Sequence, residues 1–337
     1  CVSPLMKEDR IGARRAPCIF HVVFCAGRSL EAYAVFVAAA FFTEYNAPVV
    51  LTSFFVTLGA GVLLSLLHDT SGVIRRIRNH KFRIVMDSVL RSNSTLCYLA
   101  GLKFCGPYRF LFLRFMKQGL GPPIQRLLAR GGRRTASNKI SFPGSLLLLG
   151  ACVALVGLTA YEEMLNENMM MVYGIPRSIV GFLVMFVASL FEHVRKRYSA
   201  SNPVELRRSR GFGAISILLS GVLQLPLAAG VYMFGQGQDM QLGIVAHVFM
   251  ILFIMTFIIM LRFYVSDIGK RTMATQIHLV DSIVSIGMGS ALDLFRTAGA
   301  CSLVTTCFAL GAVAGIWVIG TARYSRSDPD VLLPYVK

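Results

Sequence analysis

Apolar runs of about twenty residues alternate along this chain with short polar connections, and the rhythm predicts helices that cross a bilayer. A hydrocarbon core roughly 30 Å thick takes about 17 to 25 apolar residues in helical form. Runs of that length lie at 18–43, 48–68, 84–106, 108–128, 143–161, 174–194, 211–234, 240–261, 273–291 and 298–320. Ten spans follow. The first contains Arg28 and Glu31, the fourth Arg109, Arg114 and Lys117, and the ninth Asp281.

The connections test that count independently. Arg75, Arg76, Arg78, Lys81 and Arg83 lie between spans two and three, and Arg130, Arg133, Arg134 and Lys139 between four and five. Arg195, Lys196, Arg197, Arg207, Arg208 and Arg210 join six to seven; Arg262, Lys270 and Arg271 follow eight; Arg323 and Arg326 stand in the tail. The intervening connections carry Glu44, a bare Gly106-Pro107, then Glu162, Glu163 and Glu167, then Asp239, then Asp293, with only Arg177 and Arg296 against the trend. Under the positive-inside rule this alternation means an even number of spans with both termini cytoplasmic. Asn93-Ser94-Thr95 spells a glycosylation sequon, but it falls inside the third span, out of reach of the enzyme.

Dividing the chain at the acidic connection EEMLNENMMMVYG, after span five, leaves five spans on each side. An odd number per half inserts the second half upside down, the inverted-repeat plan of many secondary transporters. Each half closes on a Gly-rich apolar run, SLLLLGACVALVGLTA in one and SLVTTCFALGAVAGIWVIG in the other. The fold expected is an all-α membrane protein: a cytoplasmic segment at 1–17, five-helix halves at 18–166 and 167–321, and a cytoplasmic tail at 322–337.

Composition agrees. Hydrophobic residues make up 55% of the chain and charged ones 15%, where a soluble domain has about a quarter charged; the lipid bilayer is the expected partner. The net charge of +17 does not point to nucleic acid, since the basic residues sit in short connections rather than on one solvated face with a readable motif. The eight cysteines include no CxxC pair and read as small apolar membrane residues. No nucleophile motif, P-loop, dinucleotide fingerprint or metal-ligand spacing occurs, so no enzyme activity, cofactor or metal is expected. The chain opens on Cys1, which reads as a piece cut from something longer, and no signal-peptide cleavage pattern follows the basic stretch from Lys7 to Arg15.

Two halves of five spans, with a short charged fourth span, a basic loop and a Gly-rich fifth, resemble the drug/metabolite transporter fold, whose members include nucleotide-sugar and triose-phosphate carriers. Local wording narrows the likeness. GLKFCGPYRFLFL (Gly101 to Leu113) and RFYVSDI (Arg262 to Ile268) resemble the N-terminal multi-span membrane extension of the zinc transporter five type, in the cation diffusion facilitator family of the early secretory pathway. The shared points are Cys105-Gly106-Pro107 with Arg109, the run Phe263-Tyr264-Val265, and an apolar helix followed by Glu162-Glu163. The resemblance implies a Golgi or endoplasmic-reticulum membrane, and a zinc-transporter domain or hetero-oligomer as partner. The chain departs from the family's zinc-conducting part, a separate six-helix domain with His-x-x-x-Asp or Asp-x-x-x-Asp pairs: His278 and Asp281 are three apart, and no second half-site faces them. What the resemblance implies is therefore an accessory, partner-binding domain rather than the conducting one.

The charges inside the spans leave a different reading open. Holding a charge in hydrocarbon costs about 2.5 to 3.5 kcal/mol on insertion scales. Arg114 and Lys117 share a helix face, with Arg109 roughly 140° away, and Gly119, Gly121, Pro122 and Pro123 are expected to break the helix after them. A broken cationic span inside a bundle suits a phosphate or carboxylate, which makes Arg109, Arg114 and Lys117 candidate substrate ligands of a free-standing carrier for a small anion such as a nucleotide sugar or sugar phosphate. The structural counterpart is that Arg109 and Lys117 snorkel while Arg114 pairs with Glu31, Asp87, Glu192 or Asp281. Arg28 and Glu31 form an i,i+3 pair. His278 and Asp281 share a face and suit proton coupling, half of a metal site or a plain interhelical polar contact.

Overall fold

The computed structural model describes residues 5–44, 47–68, 81–116, 119–121, 123–124, 142–165, 171–172, 174–200, 210–234, 252–261, 263–264, 283–287, 291 and 311. The helices are α1 Leu5–Glu44, α2 Val49–Leu67, α3 Lys81–Cys105, α4 Pro107–Leu113, α5 Phe142–Leu165, α6 Arg177–Ala200 and α7 Arg210–Phe234, followed by the short apolar α8 Leu252–Leu261. A two-rung antiparallel ladder, β1 Met171–Val172 with β2 Ile175–Pro176, closes the α5–α6 connection. Its turn uses Gly174 at φ +77°, a backbone conformation that costs glycine little.

Among the described residues five stretches are long and apolar enough to cross a membrane: Val22–Ala40, Val49–Leu67, Pro143–Tyr161, Arg177–Ser199 and Gly211–Met233. Leu66, Leu67, Val153, Leu183 and Leu227 on these stretches are more than half exposed, an arrangement that suits lipid rather than water. This is a multi-pass, all-α membrane protein. Helix α3 is also long enough, at 25 residues, but it carries more polar groups than the five. Its polar residues Asp87, Ser88, Ser92 and Ser94 are buried, so the polarity turns toward neighbouring helices, where it finds partners.

Helix α2 packs along α7, and α3 along α6, with α7 also against α3. The α2–α7 crossing is tight because each helix sets a glycine, which brings no side chain, against a leucine of the other. A Cβ on Gly61 would come within 2.6 Å of the Leu218 backbone nitrogen, and one on Gly221 within 2.8 Å of the Leu58 backbone. Such small-residue crossings let van der Waals packing hold helices together where lipid offers no hydrophobic driving force. The contact is reciprocal and antiparallel: Leu58 and Gly61 of one helix meet Gly221 and Leu218 of the other. The α3–α6 pair repeats the device, with Gly101 against Met185 and Gly181 against Cys105.

The fourth span departs from the expected break. The regular ladder of α4 ends at Leu113, and Arg114 and Phe115 form a turn, whereas Gly119, Leu120 and Gly121 are helical. The cause is a tightening of the last turn. The Arg114 amide donates to the Phe110 carbonyl at 2.9 Å, while that of Phe115 donates one residue short, to Phe112, at 3.0 Å, an i→i−3 bond of the kind that ends helices. The main apolar core gathers around this turn. Phe42 of α1, Leu102 of α3, Leu111, Phe112 and Leu113 of α4, Leu155 of α5 and Met185 of α6 are all nearly inaccessible.

Candidate functional site

Glu31 stands at the midpoint of the apolar stretch Val22–Ala40, the depth at which an ionised carboxylate is most costly. Two guanidinium groups meet it there. Arg28, one turn earlier on α1, donates through Nη1 to Oε2 at 2.5 Å. Arg114, from the turn after α4, donates through Nη1 to Oε1 at 2.6 Å across 83 positions of sequence. Arg28 is 7% exposed, Glu31 and Arg114 3% each. The Arg28 guanidinium also lies 5.2 Å from the Phe24 ring centroid, and that of Arg114 5.9 Å from the Phe115 ring, both within cation–π range.

Local sequence explains how Arg114 arrives there. Gly106 takes φ +75° as the N-cap of α4, and Pro107 fills its first helical position, so the chain turns sharply out of α3 and re-enters a helix at once. Tyr108, Phe110, Leu111, Phe112 and Leu113 then bury the short helix, which leaves Arg114 facing α1. Two guanidiniums converging on the two oxygens of one carboxylate form a ready-made receptor for a compact oxyanion, with Glu31 as its occupant.

A second cluster lies where the N-terminal turns of α3 and α7 meet the C-terminal part of α6. Asp87 is 1% exposed. Ser216 donates its hydroxyl to Asp87 Oδ2 at 2.5 Å, Arg91 stands 3.5 Å from the same oxygen, and Arg195 3.5 Å from Oδ1. Arg195 also holds Glu192 at 3.1 Å through Nε and Nη2. Further along α3 and α7, the Gln224 amide reaches the Ser92 carbonyl at 3.4 Å. At the same end of α2, His68 lies 3.1 Å from the Tyr264 hydroxyl and beside the Phe263 ring.

The opposite end of the bundle is tied by Glu163 at the foot of α5. Its Oε2 accepts from the Ser178 amide at 3.0 Å and the Ser178 hydroxyl at 2.8 Å, satisfying a free donor in the first turn of α6. Its Oε1 lies 3.7 Å from Arg109. Arg177 donates to the Lys103 carbonyl, and Lys103 in turn to the Ala47 carbonyl at 3.3 Å.

Of the residues singled out from sequence, Arg28, Glu31 and Arg114 therefore come together, with Glu31 the acid that Arg114 meets. Asp87 and Glu192, offered as alternatives, are held by Arg91 and Arg195 at another level. Arg109 is one-third exposed and belongs to the Glu163 tie, apart from Arg114. Lys117, His278 and Asp281 lie outside the described residues. Sequence reasoning missed Arg91, Arg195, Ser216 and the capping role of Glu163. The i,i+4 spacing of Asp87 and Arg91 and the i,i+3 spacing of Glu192 and Arg195 are signals that were available. The cross-helix contacts had none.

Among the described residues no group of three or more His, Cys, Asp or Glu side chains is arranged to hold a metal ion. No family model and no curated protein matches the chain. A solved structure described as "Crystal structure of protein" superposes with a TM-score of 0.50 at 15% identity, over 88% of this chain and 98% of that one. At that identity the likeness is one of fold alone.

Proposed function

We propose that this chain is a secondary carrier of a small anionic solute, built as ten spans in two inverted halves, with Arg28 and Arg114 reading the anion. The observation that carries the reading is the pair of guanidiniums on one carboxylate at mid-depth of α1, since carriers of inverted-repeat design bind their substrates near the bilayer midplane.

The repeat itself has support in the α2–α7 crossing. Leu58 corresponds to Leu218 and Gly61 to Gly221 by one step of 160 positions, and a reciprocal contact between like residues is what a two-fold axis produces. The same step takes Val22–Ala40 to 182–200, within α6, and takes 92–101 of α3 to Leu252–Leu261. In this topology both termini and the Asp87 cluster lie toward the cytoplasm.

The experiment is uptake into proteoliposomes of a panel comprising inorganic phosphate, a hexose phosphate and a nucleotide sugar. Arg114→Gln and Arg28→Gln should each abolish the uptake that the unaltered protein shows. Absence of uptake across such a panel, or uptake indifferent to both substitutions, counts against the carrier.

A second reading is an accessory domain of a zinc transporter in Golgi or endoplasmic-reticulum membranes. The residues that carry the resemblance support it, because they serve packing rather than the arginine pair: Arg109 ties to Glu163, and Phe263 and Tyr264 pack on His68. Zinc uptake by vesicles containing a six-helix cation diffusion facilitator should then rise when this chain is co-reconstituted; no change would exclude the accessory role.

A further inference from the structure

Glu31 is bound as a substrate anion would be. Its two oxygens take the Nη1 groups of Arg28 and Arg114 separately, at 2.5 and 2.6 Å, in a core where all three side chains are nine-tenths buried or more. Resting on the carrier reading, we infer that Glu31 is an internal surrogate for the transported anion, and that a proton on its carboxyl exchanges it for that anion. The carrier is then a proton–anion symporter with Glu31 as the coupling group.

The chemistry balances simply. One proton from water joins a Glu31 oxygen, the O–H forms, and the neutral acid is a poor acceptor for a guanidinium. The Nη1 donors of Arg28 and Arg114 pass to one singly charged oxyanion, and the formal charge of the site is unchanged. That constancy matters in hydrocarbon, because two buried guanidiniums stripped of their carboxylate are strongly disfavoured. Release of Glu31 and arrival of the anion are thereby linked, and leakage of either alone is suppressed. Transfer of one proton with each monoanion follows.

Among the described residues, the charged groups in contact with Glu31 are two arginines. Helix α1 packs against α3 and α4. From α1 itself comes Arg28, and from the end of α4 comes Arg114. Of the α3 charges, Asp87 and Arg91 meet each other and Asp87 also meets Arg195 of α6, while Lys103 donates to the Ala47 carbonyl. Arg109 of α4 faces Glu163. Tyr98 and Tyr108 are buried in the same core.

The test uses the full chain in lipid nanodiscs and methanesulfonate, an oxyanion that does not itself titrate near neutrality. Binding to the unaltered protein should take up close to one proton per anion in weakly buffered solution, and affinity should fall about tenfold per pH unit once Glu31 is ionised. Glu31→Gln should bind across the whole range from pH 5 to pH 8 with neither pH slope nor proton uptake. Glu31→Asp, which keeps the charge, should retain both. Because Glu31→Gln is expected to fold less stably, the proton count on the unaltered protein decides the matter alone. Binding without proton uptake or pH slope overturns the coupling while the carrier stands. Failure of both the unaltered protein at pH 5 and Glu31→Gln at pH 8 to bind overturns the carrier reading and this inference together.

Discussion

Gly61 of α2 meets Leu218 of α7 backbone to backbone, with the Leu218 nitrogen 2.6 Å from where a Cβ on Gly61 would sit. An alanine in a helix interior normally gains about 1 kcal/mol over glycine, but here the added methyl must push two backbones apart, at a cost of about 1 to 3 kcal/mol. Gly61→Ala is therefore expected to lower the melting temperature in detergent. Gly150→Ala, in α5 with nothing within 4 Å of the new carbon, should leave it unchanged or raise it. The opposite signs distinguish close approach from propensity, and equal signs would remove the crossing from the account.

The Arg28–Glu31–Arg114 cluster makes an ordering that a simple count of ion pairs does not. Arg114→Met removes one cation and leaves Glu31 still held by Arg28 at 2.5 Å. Glu31→Gln removes the anion on which both guanidiniums converge. Breaking a buried pair costs about 3 to 5 kcal/mol when one charge is left behind, so Glu31→Gln should be the more destabilising of the two, by urea or thermal unfolding. A methanesulfonate concentration that saturates the site should recover much of the loss for Glu31→Gln and none for Arg114→Met.

Much of this arrangement was legible in the sequence. Run length gave α2, α3, α5 and α7 within a few residues, because twenty apolar residues in lipid have almost no alternative to a helix, while α6 runs on to Ala200, beyond the expected end at 194. Arg28 and Glu31 were readable as a pair, since i,i+3 spacing on a helix fixes geometry locally. The partner of Arg114 was narrowed to four acids and no further: the choice of Glu31 depends on how α4 turns out of α3, and no residue pattern reports that angle. The fourth span misled for a related reason. Gly119, Gly121 and Pro123 are strong breakers in isolation, yet all three are helical and the chain turns at Arg114, where the core and Glu31 draw it across. Asp87 shows the same limit, since Ser216, its closest partner at 2.5 Å, lies 129 positions away.

Asp87 and Arg195 should be energetically coupled. Their ion pair at 3.5 Å is shielded, with Asp87 2% and Arg195 17% exposed, so solvent screens it only in part. A double-mutant cycle with Asp87→Asn and Arg195→Gln is expected to return an interaction energy of about 0.5 to 3 kcal/mol. The cycle of Asp87→Asn with Arg109→Gln, which is bound to Glu163 at the other end of the bundle, should be additive within about 0.5 kcal/mol. Coupling in the second cycle as large as in the first would mean that the two ends move as one unit.

Glu163 acts at the start of α6 as an N-cap side chain does, although it comes from another helix. Its Oε2 takes both the Ser178 amide and the Ser178 hydroxyl, and the carboxylate also sits favourably at the positive end of the α6 dipole. Losing such a cap costs about 0.5 to 2 kcal/mol, and the cost should appear locally. In Glu163→Ala, amide hydrogen exchange at Ser178 and Ile179 is expected to quicken several-fold, while amides around Asp87 and Arg195 keep their protection. Ser178→Ala retains the amide bond to Oε2 and should produce the smaller effect of the two. Uniform acceleration along all of α6 in Glu163→Ala would instead mean that the Arg109 tie, rather than the cap, holds the helix in place.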